Sequence, residues 1–150
     1  MLVLLVWAAG CGMHPDEAPS ADEELLSTLG LGGGAQLHRI TLGGRGAEEH
    51  AVPARIQASP GDAVEFLTVD HRVHTVVFPA DSLRAEILTF LDETGQRASP
   101  PLVSLGSRFF LRLQEAPTGR YPFVSEGHGG TAWGVVEVGI PQDSLALNPS

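Results

Sequence analysis

Ser125 and His128 lie three residues apart, a spacing that invites a nucleophile-and-base reading. No acid is positioned by any motif to orient the histidine, and no oxyanion-hole pattern accompanies the pair, so hydrolysis is not the expected chemistry. The chain also lacks a phosphate-binding glycine loop and a Cys-x-x-Cys pair, and no enzymatic activity is expected of it. His71 stands three residues before His74 in the connection Asp70-His71-Arg72-Val73-His74. If that connection bends toward the other imidazoles, His71 is a possible third nitrogen donor; otherwise it is a solvated loop residue. His14, His38 and His50 are isolated and read as surface residues. Trp133 offers only an indole N–H, a donor with no lone pair for a metal. Gly127, Gly129 and Gly130 surround His128, which fits simple turn geometry and also leaves the loop open to close approach.

The elements that must position these residues are mostly strands. Leu37 to Leu42, Ala51 to Ala58, Ala63 to Val69 and Val73 to Phe78 are apolar runs bounded by turn chemistry, with Ser59-Pro60-Gly61-Asp62 as one such turn. Pro53 marks an edge or a bulge in the second of them. Arg108 to Leu113 alternates, with Phe109, Leu111 and Leu113 facing in and Arg108 and Arg112 facing out. Tyr121 to Ser125 and Ala132 to Gly139 are the last strands. One helix interrupts them, about Ser82–Thr94, with Asp81 as N-cap, Leu83, Ile87, Leu88 and Leu91 at helical spacing and Gly95 just past the end. The expected fold is all-β, a Greek-key sandwich or barrel with that one short helix.

The C-terminal run Tyr121-Pro-Phe123-Val-Ser125-Glu-Gly-His128, followed by Trp133 and Gly134 and a closing strand, resembles the ligand loop of plastocyanin- and azurin-like cupredoxins. There the pattern is Tyr-x-Phe-x-Cys-x-x-His, then an axial Met. Pro60-Gly61-Asp62, a strand, and His74-Thr-Val-Val-Phe78 resemble the segment that delivers the first histidine ligand. Ser99-Pro100-Pro101-Leu102, Gly106, a Phe-rich strand and Gly119-x-Tyr121 resemble the approach to the cysteine strand. The resemblance runs from Ile56 to Val138 and implies a cupredoxin-like sandwich with copper binding and electron transfer. It carries His74 and His128 over as metal ligands and places Ser125 and Trp133 at vacated cysteine and methionine positions. A serine hydroxyl is a hard, high-pKa oxygen that does not replace a thiolate in a blue-copper site. Two readings follow: His74 and His128, with His71, Glu126 or water, hold a non-blue Cu(II) or Zn(II); or they are hydrogen-bonded histidines at the end of a barrel with no metal. Trp133 likewise either fills the space left by methionine and copper or offers an aromatic platform to a partner.

Eighteen acidic residues against nine basic ones, all arginine, give a net charge of -9, which argues against nucleic acid or anionic lipid as a ligand. Cys11 is the only cysteine, so no intrachain disulfide forms. Residues 1–10 resemble a secretory signal, and Ala8-Ala9-Gly10-Cys11 resembles a bacterial lipobox. Residues 11–35 read as an acidic tether with a transient helical turn over Glu23 to Leu29, 36–140 as the domain and 141–150 as a tail. The function expected is that of an extracytoplasmic binding module, lipid-anchored to a membrane through Cys11, with an unidentified protein partner.

Overall fold

Alternating apolar side chains oblige these strands to bury one face, and two sheets packed face to face achieve this. The structure is a computed structural model and describes residues 20–140. Its elements are α1 (Ala21–Thr28), β1 (Leu37–Arg45), β2 (Glu48–Val52), β3 (Arg55–Ala58), β4 (Ala63–Thr68), β5 (His74–Val77), α2 (Ala85–Glu93), β6 (Arg108–Arg112), β7 (Gly119–Gly127) and β8 (Gly130–Val138). One sheet has the order β2-β1-β4-β6 and the other β3-β8-β7-β5. The expected all-β sandwich is what forms. Its interior holds Ile40, Leu42, Val64, Phe66, Phe78, Leu111, Tyr121 and Phe123, all fully buried. Phe66 meets Phe123 edge to face at 5.1 Å between ring centres, joining the two sheets.

The segment expected as one strand over Ala51 to Ala58 is two. Val52 ends β2 in the first sheet, and Arg55 begins β3 in the second. Pro53 has no N–H to continue a ladder, so the chain changes sheets there. The helix is shorter than expected. Leu83 is extended, which makes Arg84 and not Asp81 the N-cap of α2, and Asp81 falls in a separate 3-10 turn over Ala80–Ser82. Ile87 and Leu91 are the buried positions of α2, and Gly95 follows its end at φ 65°.

Within the expected tether, Ala21–Thr28 is a formed helix. Ser20 and Glu23 make a reciprocal capping box, and Leu26 and Leu31 bury against Ala63 on the outer face of the first sheet. His38 also departs from a plain surface role: its Nε2 lies 2.9 Å from Asp62 Oδ2. Asp62 further accepts from the N–H groups of Gln36 and Ser59. Burial pushes the Asp62 carboxyl up, but the N–H of Ser59, the ring of His38 and the N–H of Gln36 more than offset this and hold it below the usual carboxylate range.

Two expectations follow. Phe123→Ala should cost about 3–5 kcal/mol in denaturant unfolding, while His128→Ala, at an exposed turn, should change little. Asp62 has a lowered folded pKa, so its stabilisation is present above the unfolded value of about 3.9 and is lost as pH falls through the folded value. Asp62→Asn should therefore lose roughly 1–3 kcal/mol at neutral pH and show a flatter decline in stability in acid than the wild type. An equally steep decline in both proteins would remove Asp62 from this role.

Candidate functional site

The site is built where β2, β5 and β7 meet at one end of the sandwich. In β7, Tyr121, Phe123 and Ser125 alternate onto the inner face and are fully buried. His74 opens β5 and pairs with Gly127, which brings its ring beside Ser125. His74 is also fully buried. The residue between them is Glu49, delivered by β2, whose alternation turns Glu49 and Ala51 inward. Glu49 Oε1 lies 2.7 Å from His74 Nδ1 and accepts a hydrogen bond from Ser125 Oγ at 2.7 Å.

The other face of the ring is closed as well. His74 Nε2 lies 2.6 Å from Asp70 Oδ1. Asp70 is itself fixed by the backbone N–H groups of Gly44 and Arg72, each at 2.9 Å. Burial pushes the Asp70 carboxyl up, but the bonds from His74, Arg72 and Gly44 prevail and hold it below the usual carboxylate range. Each ring nitrogen thus faces a carboxylate oxygen at hydrogen-bond distance. A metal needs a nitrogen lone pair. Both nitrogens of His74 are committed elsewhere.

Gly127 belongs to this arrangement for a steric reason and not for turn geometry. A Cβ there would collide with the Glu49 carboxylate and stand 2.8 Å from His74 Nδ1. The turn proper is His128-Gly129, with φ values of 46° and 87°, closing the β7–β8 hairpin between Gly127 and Gly130. Positive φ at both central residues is what a two-residue hairpin turn demands. His128 is thus an exposed turn residue.

Of the residues the sequence singles out, the structure brings together His74 and Ser125. His71 is exposed on the loop where its neighbour Asp70 turns in instead. Trp133 does not fill the space beside Ser125. Ala132 is the residue paired with Ser125, and Trp133, one step along β8, is 62% exposed on the outer face of its sheet. Glu126 is exposed, and Cys11 lies outside the described residues. Ser125 donates to a carboxylate and not to a histidine, and its burial leaves no approach for a substrate. Among the described residues, no group of three or more His, Cys, Asp or Glu side chains is arranged to hold a metal ion.

The fold is a cupredoxin-like β-sandwich of two four-stranded sheets. Solved cupredoxins are similar to it. The chain is similar to a purple cupredoxin from Nitrosopumilus maritimus at 16% identity and a TM-score of 0.45, over 67% of this chain and 98% of that one. It is similar to a pseudoazurin from Sinorhizobium meliloti at 17% identity and a TM-score of 0.42, over 75% of this chain and 80% of that one. An auracyanin from Roseiflexus castenholzii is similar at 12% identity and a TM-score of 0.38, over 73% of this chain and all of that one. No family model and no curated protein matches the chain. At such identities the likeness assigns no function. The chain's own side chains do not fit a blue-copper ion: an alcohol stands for the thiolate, a carboxylate fills the place between it and the first imidazole, and the position after Ala132 faces solvent.

Removing one member of a buried ion pair strands the other. His74→Ala should destabilise by about 3–5 kcal/mol, because the buried Glu49 carboxylate then loses its imidazole and keeps only the Ser125 hydroxyl. His74→Ala combined with Glu49→Ala should recover part of that loss in urea melts. Strictly additive losses in this double-mutant cycle would show that the pair is not coupled.

Proposed function

We propose that this chain is a non-redox binding module on a cupredoxin-like scaffold, whose metal position is occupied by its own polar network. The observation that carries this reading is the double commitment of His74, with a carboxylate at 2.7 Å from Nδ1 and another at 2.6 Å from Nε2. Electron transfer through copper would require a free imidazole and a thiolate at this position, whereas His74 is committed and Ser125 is an alcohol. The network instead ties β2, β5 and β7 together, which is the work a metal would otherwise do at this end of the sandwich. The contact surface of the module is the outer face of β7 and β8, where Trp133 is 62% exposed. Large rigid aromatics at the surface are common binding anchors.

The module works outside the cytoplasm, held to a membrane through Cys11 and presenting its domain to a protein partner. The lipobox-like Ala8-Ala9-Gly10-Cys11 supports this. No helix among the described residues is long and apolar enough to cross a membrane.

Metal analysis of untagged protein, followed by Cu(II) and Zn(II) titration, tests the central claim. The expected result is substoichiometric metal as isolated and no saturable binding that depends on His74. Stoichiometric copper or zinc that disappears in His74→Ala would establish the rival reading, a metal site built on His74. Cys11→Ala should move the protein from the membrane fraction to the soluble one. Wild-type protein that is already soluble would end the anchoring claim.

A further inference from the structure

We infer that Glu49 locks a latent cation site: its carboxylate takes the place between His74 and Ser125 that an ion would occupy, so opening the site requires removing Glu49 as well as supplying a thiolate. The inference rests on the reading above that both nitrogens of His74 are committed. Three observations carry it. First, Glu49 Oε1 is 2.7 Å from both His74 Nδ1 and Ser125 Oγ. An ion bonded to both side chains would stand about 2.0–2.3 Å from each, so ion and carboxylate compete for one place. Second, Glu49 Oε2 is buried with no hydrogen-bond partner, although the side chain is fully shielded from solvent. A half-satisfied buried carboxylate is held there at a cost, and the space it fills is polar on two sides. Third, that oxygen packs against Gly127, where even a Cβ has no room, so the carboxylate cannot swing toward Gly127 to vacate the place. Ser125 already points its Oγ at the contested position, and sulfur in its stead would point there too. His128, on the turn three residues on, is the next imidazole along the chain.

The lock makes a prediction that loss of the cysteine alone does not. If the chain merely lacked a thiolate, S125C would suffice to restore ion binding. If Glu49 fills the site, S125C leaves the place occupied, and only E49A together with S125C opens it.

The test uses the full chain and Co(II), which does not oxidise thiols, with the wild-type protein as the control for Cys11. Wild type, S125C, E49A/S125C and E49Q/S125C are titrated while the thiolate-to-Co(II) absorption band is followed. The expected result is a saturating band near one equivalent in E49A/S125C, lost when H74A is added. S125C and E49Q/S125C, whose position 49 still fills the space, should bind at least tenfold more weakly. A band of equal strength in S125C alone overturns the lock, since Glu49 would then be no obstacle. Should E49A/S125C be unfolded without the ion, thermal melts decide: a rise in Tm with Co(II) supports the inference. A double variant that gains neither band nor stability from the ion overturns it. Failure of the lock is separable from failure of the proposed function, because only wild-type binding that depends on His74 speaks against the latter.

Discussion

One imidazole with a carboxylate at each nitrogen is the interaction on which this end of the molecule depends. Burying His74 without partners would cost several kcal/mol. The same holds for Glu49, whose side chain is as buried as the ring. Neither can be there alone: each partners the other, while Ser125 also reaches Glu49 Oε1 and Asp70 also reaches the ring. That mutual dependence fixes the register of three strands. β5 must set His74 opposite Gly127, β2 must turn Glu49 inward, and β7 must bring Ser125 to the same oxygen. Asp70 then anchors the entrance of β5 to the backbone of β1 through Gly44. A buried ion pair is poor evidence for net stability but good evidence for specificity, because a one-residue slip in any of these strands would strand a charge in the core.

The same device recurs on the two outer faces. Glu65 is fully buried yet reached by Arg39 and Arg108 from the strands on either side of it. Glu137 is reached by Arg55 and Arg120, again from both neighbours. Each carboxylate sits on a central strand and each arginine on a flanking one. With no lysine in the chain, every such bridge uses the planar guanidinium. The acidic excess of the composition is therefore not only a solvated surface; part of it is structural and inward-facing.

Much of the fold was legible because alternation is a strong signal and the turns carry Pro, Gly and Asp where their geometry needs them. The inward set Phe109, Leu111 and Leu113 could be read from residue types alone, whereas the strand expected to end at Ser125 runs on to Gly127. The helix boundary at Arg84 and the change of sheet at Pro53 were harder. Both depend on where Leu83 and Val52 find space in the assembled core, which no local pattern encodes. Local sequence implies only a transient turn at α1, because its stability comes from burying Leu26 against Ala63, far along the chain.

The site was legible only in part, and the reason is instructive. Ser125 and His74 stand out through their place in a motif, whereas Glu49 has no motif. A glutamate beside another glutamate at a strand start looks like solvated surface. Alternation would have found it: Ala51 faces in, and Glu49 is two residues earlier on the same face. The sequence expectation begins that strand at Ala51, whereas β2 begins at Glu48 and so takes in Glu49. A site defined by what is missing invites the question of which ligands remain, and so points to His128 and His71. The physical question is different. A cavity lined by an imidazole and a hydroxyl, deep in a sandwich, must be filled by something with complementary charge. The chain supplies that filling from the strand whose inward glutamate is closest, and the exposed histidines are left free of any role in it.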